Sequence, residues 1–381
     1  MRPPIIALDY TPAYEQGGGI GRYVRELTAA LAQQPLDAVR YRLFVAGATH
    51  ADLPPLPSEA FSWHPTRITP KWLARIWHRA RLPLPTVEAF TGRVTMYHAT
   101  DFVLPPVLPG TRTLLTVHDL SFARVPESAA PSLKAYLDAV VPRSVRRADH
   151  ILADSQATKA DLIALYHTPP TKISVLLSGV EARFRHENNP SVLLTMRIKY
   201  KLGDRPYILA VGTVQPRKNY VRLAQALAQI RTQHDIGLVI VGGKGWLDAP
   251  IYTAIRDLGL SDVVHFTGFA DEADLPALYS GAVCVALPSL YEGFGIPILE
   301  AIACGVPVVT SNLSSLPEVA GDAALLINPY DVEALTHALN RLITDSDLRT
   351  TLIARGDERV KQFTWDSAAQ QLRQIYAALL A

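Results

Sequence analysis

Residues 288–310 read Pro-Ser-Leu-Tyr-Glu-Gly-Phe-Gly-Ile-Pro-Ile-Leu-Glu-Ala-Ile-Ala-Cys-Gly-Val-Pro-Val-Val-Thr. The apolar run 282–287 before them has the length and composition of a buried strand. Pro297 suits the first turn of a helix, where a backbone donor is not needed. Gly305 and Pro307 end that helix, and 306–310 begins another strand. The order is strand, glycine-bearing loop, helix, strand, with Glu292 in the loop and Glu300 on the helix. The free N–H groups and dipole of a helix N-terminus favour an anion. Two carboxylates beside such a site repel a bare phosphate but accept hydrogen bonds from hydroxyls attached to one. The stretch therefore predicts a sugar-nucleotide site, with the diphosphate at the helix, sugar hydroxyls on one glutamate and ribose hydroxyls on the other.

Outward from this stretch the second half repeats the pattern. Strands are expected at 207–211, 237–241 and 263–266, alternating with helices. Gly212-Thr213-Val214-Gln215-Pro216-Arg217-Lys218-Asn219 follows the first of them. Arg217 offers a planar fork and Lys218 a point charge, a pair that suits a diphosphate at a strand C-terminus. The first half reads likewise, with strands at 5–9, 41–46, 94–98, 112–118, 150–153 and 173–176. Helices are expected at 20–33, 69–81, 133–147 and from Ser155, a good N-cap, to 166. Residues 50–66 are Pro-rich and read as irregular, 10–19 as a polar loop, and 177–205 as the linker. Alternating strands and helices without hairpin signals imply parallel doubly wound sheets. The expected domains are 1–190 and 200–365, with an amphipathic helix at 366–381 returning to the first. Two such sheets place their ligand crevices facing across an interdomain cleft.

Bulk properties bound the rest. The chain has 381 residues, 49% hydrophobic and 19% charged, the composition of a folded soluble protein. No run is long and apolar enough for a spanning helix, and the N-terminus reads as a first strand rather than a signal peptide. The two cysteines, Cys284 and Cys304, read as buried thiols in a cytosolic protein. Net charge is +2, too small to argue for a nucleic-acid partner, and none is expected. Residues 1–190 carry +5 (21 Lys+Arg against 16 Asp+Glu) and 191–381 carry −3 (16 against 19), which favours an anionic partner on the first half.

Three further stretches could carry chemistry. Gly17-Gly18-Gly19-Ile20-Gly21-Arg22 fails the dinucleotide fingerprint, because Arg22 or Val24 stands where its last glycine is required. His118-Asp119 closes the strand Leu114-Leu115-Thr116-Val117, a good position for a site. The helix 69–81 holds Trp72 and Trp77 among Lys71, Arg75, Arg79 and Arg81. It could touch an anionic lipid surface of the inner membrane. The preferred reading packs both tryptophans on the first domain with the bases in solvent.

At these residues the sequence resembles the retaining glycosyltransferases of family four, group 1, which have the GT-B fold of two facing Rossmann-like domains. The matching segments are Val211-Gly212-Thr213 with Arg217-Lys218-Asn219, His265-Phe266-Thr267-Gly268-Phe269, Glu292 to Glu300, Gly305-Val306-Pro307, Pro317-Glu318-Val319, Gly19-Ile20-Gly21-Arg22-Tyr23, Thr116-Val117-His118-Asp119 and Asp154-Ser155. Within the family the combination is most similar to bacterial mannosyltransferases of polysaccharide and O-antigen assembly. The resemblance implies Glu292 on the donor sugar, with Gly293, Phe294 and Gly295 beside it, and Glu300 on the ribose. It implies Arg217 and Lys218 on the diphosphate near Gly212. It further implies Phe266, Gly268 and Phe269 at the base, His118 on the sugar, and the loop containing Gly19 and Gly21 over the diphosphate.

The expected activity is transfer of a sugar, mannose from GDP-mannose in the first instance, to a glycan or lipid-linked acceptor. No Asp-x-Asp motif is present, so no metal or other cofactor is expected. No carboxylate is an obvious nucleophile; Asp119 is a candidate by sequence only, and the resemblance implies front-face attack. Rival readings are a UDP-sugar-dependent transferase, a GT-B epimerase needing no acceptor, a non-catalytic sugar-nucleotide-binding protein, and an NAD-dependent dehydrogenase weakened by the failed fingerprint.

Overall fold

The structure is a computed structural model that describes residues 3–35 and 39–381. Met1 and Arg2, the start of the N-terminal stretch read above, lie outside the described residues. Two compact units divide the chain. One comprises residues up to Leu120, Ala135–Gly179 and Trp365–Ala381; the other comprises Ser121–Lys134 and Val180–Thr364.

The first unit is built on seven strands: β1 (Ile5–Asp9), β2 (Arg40–Ala46), β3 (Phe61–Thr66), β4 (Met96–Ala99), β5 (Arg112–Val117), β6 (His150–Ala153) and β7 (Ile173–Val175). They pair in parallel in the order β3-β2-β1-β4-β5-β6-β7. Near-continuous apolar runs such as Ile6-Ala7-Leu8 and Leu114-Leu115 suit strands covered on both faces. The helix Gly19–Gln33 buries Tyr23, Val24, Leu27 and Leu31 against them. The C-terminal helix Trp365–Leu380 adds Trp365, Ala369, Leu372 and Tyr376 to the same core.

The second unit contains β8 (Tyr207–Val211), β9 (Gly237–Val241), β10 (Val264–Gly268), β11 (Cys284–Leu287), β12 (Val308–Ser311) and β13 (Ala324–Ile327), in the parallel order β10-β9-β8-β11-β12-β13. Strand order reverses between β1 and β4 in the first sheet and between β8 and β11 in the second. The C-terminal ends of the strands at such a reversal form the natural ligand crevice of an open α/β sheet. Cys284 and Cys304 are free and buried, and burial pushes each thiol up to about 12, so neither is a reactive thiolate.

Four expectations need correction. Residues 61–66 are not irregular: they form β3, an edge strand, the one place in a sheet that accepts Pro65 without losing a ladder donor. The stretch read as linker contains the helix Pro190–Lys199, capped by Asn189, whose side chain accepts from Ser191 N. The polar loop 10–19 holds a short helix, Thr11–Glu15. The basic helix changes character midway, from α over Pro70–Ala74 to π over Arg75–Arg79. Its two tryptophans part company. Trp77 is buried, with Nε1 donating to the Pro85 carbonyl at 2.7 Å and its ring against Phe44 and Phe90. Trp72 is 56% exposed.

Candidate active site

The loop after β8 and the loop after β11 meet at the reversal of the second sheet. Pro216–Lys218 makes one 3₁₀ turn, and Asn219 follows in the left-handed region at φ 62°. Asn219 Nδ2 donates to the carbonyls of Pro288 (2.9 Å) and Pro329 (2.7 Å), and Leu290 N donates to the Arg217 carbonyl (2.8 Å). The loops are thereby fixed to each other by backbone acceptors. Gly212 stands at φ 150°, and a Cβ there would lie 2.6 Å from Lys218 Cε, so the lysine stem lies where only glycine leaves room.

This scaffold brings three predicted residues into one buried ionic group. Arg217 Nη1 donates to Glu292 Oε2 at 2.7 Å and to the Tyr291 carbonyl at 2.8 Å. Lys218 Nζ donates to Glu292 Oε1 at 2.6 Å. Lys218 and Glu292 are each 7% exposed. Burial pushes Glu292 up, but Arg217 and then Lys218 outweigh it and hold its pKa at about 2. The carboxylate expected on sugar hydroxyls and the cations expected on a diphosphate are thus bonded to each other. The pairing spans two loops, which is why sequence spacing did not reveal it.

Around the triad, Glu292 N donates to Ser314 Oγ, and Ser315 Oγ donates to the carbonyls of Glu292 and Phe294. Neither serine was predicted; both follow β12 and clamp the glycine loop from the neighbouring strand end. Phe294 is buried against Phe363, and Gly295 precedes the helix Ile296–Ala303, with Pro297 in its first turn. Glu300 sits on that helix, 1% exposed, with its Oε2 accepting from Tyr279 Oη at 2.5 Å. One oxygen of the carboxylate expected on the ribose is thus already bonded within the protein. On the other side of β8, Phe266 packs against Tyr252, while Phe269 is 74% exposed and lies over Gly243.

In the first unit, Gly21 has a packing role. A Cβ there would lie 2.0 Å from the Gln16 carbonyl oxygen, so the glycine lets the preceding turn close on the helix Gly19–Gln33. Gly17, Gly18 and Gly19 face open space. His118 follows β5 and is 5% exposed. Its Nδ1 is 2.7 Å from Asp154 Oδ2 and its Nε2 is 2.9 Å from the Thr100 carbonyl oxygen. Tyr23 and Phe102 meet the ring edge-on at 5.1 and 5.6 Å. A carboxylate and a carbonyl are both acceptors, so the imidazole donates from both nitrogens and carries charge. Burial opposes that charge, but Asp154, by charge and hydrogen bond, and then Asp101 raise the His118 pKa to about 9. Burial also pushes Asp154 up; the imidazolium beside it opposes protonation, and the ion pair is the form that satisfies both ring nitrogens. The ring N–H groups expected to face a donor sugar are held by the protein's own acceptors. Ser155, beside Asp154, is the N-cap expected, accepting from Thr158 N at 3.1 Å.

Asp154→Asn checks this pair. A folded-state value above the ordinary 6.5 gives stability that is complete below pH 6.5 and lost as pH rises through about 9. Denaturant midpoints from pH 6 to 10 should fall across that window in the wild type. They should be lower and nearly flat in Asp154→Asn, with a cost of ~3 kcal/mol at pH 6 for a broken buried pair. Parallel curves for the two proteins would remove the charged histidine.

Two doubly wound parallel sheets, each with a strand-order reversal, make the framework of the GT-B fold, and the cation–carboxylate group lies at the reversal in the second. Residues 17–184 match the model of Glycosyltransferase Family 4, and residues 195–359 match that of Glycosyl transferases group 1. The O-antigen chain mannosyltransferase B of Escherichia coli is 34% identical over 286 residues, covering 74% of this chain and 74% of that protein. The GDP-mannose-dependent alpha-(1-6)-phosphatidylinositol monomannoside mannosyltransferase of Mycobacterium tuberculosis (strain CDC 1551 / Oshkosh) is 34% identical over 216 residues, 54% of this chain and 55% of that one. Among solved structures, sucrose-phosphate synthase from Thermosynechococcus elongatus superposes with a TM-score of 0.76 at 22% identity, over 99% of each chain. The chain belongs to this family of glycosyltransferases.

Proposed function

We propose that the protein moves a mannosyl group from GDP-mannose to a glycan or lipid-linked acceptor, with retention of anomeric configuration and without a metal. The observation that carries the reading is the Arg217–Glu292–Lys218 group at the β8/β11 reversal. A donor diphosphate would compete with Glu292 for the two cations. As they turn to the phosphates, the carboxylate becomes free to accept from sugar hydroxyls. The same fixed positive charge offsets the negative charge that grows on the leaving nucleoside diphosphate. The N-terminal N–H groups of Ile296–Ala303 act in the same direction. In front-face attack the acceptor oxygen bonds to the anomeric carbon as the carbon–phosphate oxygen bond breaks. The acceptor proton passes to a donor phosphate oxygen, and Asp119 forms no covalent bond. Mannose and GDP are supported by the relatives whose names carry them.

A panel of GDP- and UDP-sugars, scored first by donor hydrolysis and then by transfer, tests the reading. GDP-mannose should be turned over fastest, the product should be the α-anomer by NMR, and a chelator should leave the rate unchanged. Preference for a UDP-sugar, an inverted product, or loss of rate in chelator would each reject the corresponding element. Conversion of donor to its epimer without acceptor would replace transfer altogether.

A further inference from the structure

We propose that the surface formed by residues 67–84 of the first unit binds an anionic lipid bilayer. Residues 60–87 contain Arg67, Lys71, Arg75, Arg79 and Arg81 and no aspartate or glutamate, in a chain whose net charge is only +2. All five basic side chains are exposed. Among them stand apolar side chains equally open to solvent: Ile68 at 37%, Trp72 at 56%, Leu82 at 50% and Leu84 at 66%. The Arg75 guanidinium lies 4.7 Å from the Trp72 ring centroid, so a cation and an aromatic share one patch. The positive neighbourhood continues past the helix, since Arg143 and Arg147 act electrostatically on His78.

The helix is already anchored to its own unit by other residues. Leu73 and Trp77 are buried, and the Trp77 indole N–H is satisfied by Pro85. Trp72 is therefore not needed for packing, and the domain holds it outward. Exposed aliphatic side chains interleaved with bases match the boundary between acyl chains and anionic headgroups. A nucleic acid or an acidic protein would use the bases but gain little from Ile68, Leu82 and Leu84. No helix among the described residues is long and apolar enough to cross a membrane, so the attachment is to a lipid surface. The inference rests on this patch alone and stands or fails independently of the mannosyl reading.

Co-sedimentation of the full chain with phosphatidylcholine vesicles, with and without phosphatidylglycerol, tests it. The protein should pellet only with the anionic vesicles, and salt should weaken the binding. Arg75→Glu with Arg79→Glu should reduce partitioning by roughly thirtyfold or more, given what each base near such a surface contributes. A blue shift of tryptophan emission on anionic vesicles should be present in the wild type and lost in Trp72→Phe. Donor hydrolysis should be unchanged in these variants, which confirms that they are folded. Three results would overturn the proposal: no pelleting with anionic vesicles, undiminished binding by the charge-reversed variant, or an emission shift that persists in Trp72→Phe. Heparin binding as tightly as the vesicles while leaving the emission unshifted would identify a general polyanion site instead.

Discussion

Lys218→Ala is expected to lower transfer by roughly a hundredfold, as loss of one charge-stabilising donor at a leaving group does. It is also expected to lower unfolding stability by about 2 kcal/mol, because Glu292 keeps Arg217 but loses one of its two buried charge-assisted bonds. The two losses have different origins and can be separated. The double variant Lys218→Met with Glu292→Gln removes both charges of that bond at similar volume and leaves Arg217 an amide oxygen and the Tyr291 carbonyl as acceptors. Stability should return toward wild type in that variant, while transfer should not. Recovery of transfer with stability would show that the group only holds the loops together. The pH dependence is fixed by the same geometry. Glu292 is held at about 2 against an ordinary 4.5, so its stabilisation is complete above pH 4.5 and disappears as pH falls toward 2. An acid limb in the rate profile between pH 5 and 7 therefore belongs to another group.

Ending the chain at Thr364 is expected to unfold the first unit. The deletion removes Trp365, Ala369, Leu372 and Tyr376 from the core they share with Ile6, Leu8, Leu43 and Leu114. The large side chains among them sum to on the order of 8 kcal/mol by ordinary truncation costs, comparable with the whole stability of a domain. Buried polar groups would also lose partners. His98 Nδ1 and Tyr376 Oη are 2.7 Å apart, and the other ring nitrogen is 2.8 Å from Thr116 Oγ1. Burial pushes His98 down to about 3, so this histidine is neutral and depends on those two hydroxyls. Limited proteolysis should cut the truncated protein within the first unit's strands, while Tyr376→Phe should cost only ~1 to 2 kcal/mol. A truncated protein as resistant as the full chain would show that the helix is dispensable.

The sheets were legible because central parallel strands must be apolar on both faces, and runs such as 207–211 and 282–287 leave no other reading. The order reversal could be anticipated as a class of place, and Gly212, Arg217, Lys218 and Glu292 all lie there. β3 was missed because its proline and polar residues describe an edge, where the apolar signal is weakest. The helix Pro190–Lys199 was missed because only Met196 is buried, so little periodicity marks it. Pairings between loops were out of reach. Nothing local in Glu292 indicates two cations from another loop, and nothing local in His118 indicates Asp154. Ser314, Ser315 and Asn219 act through hydrogen bonds to backbone, for which residue type is a poor guide. Asn219 carried one usable signal, since asparagine tolerates the left-handed conformation the turn requires.

The bond between His98 and Tyr376 joins positions 278 residues apart. The first unit therefore closes only after residues 365–381 have left the ribosome. Until Trp365–Ala381 has emerged, the nascent chain exposes the groove that this helix fills, however long its amino-terminal half has been available. The second unit, whose residues end at Thr364, has its full complement earlier. Order of synthesis and order of completion are thus reversed, and the amino-terminal core stays open to chaperones until that helix has emerged.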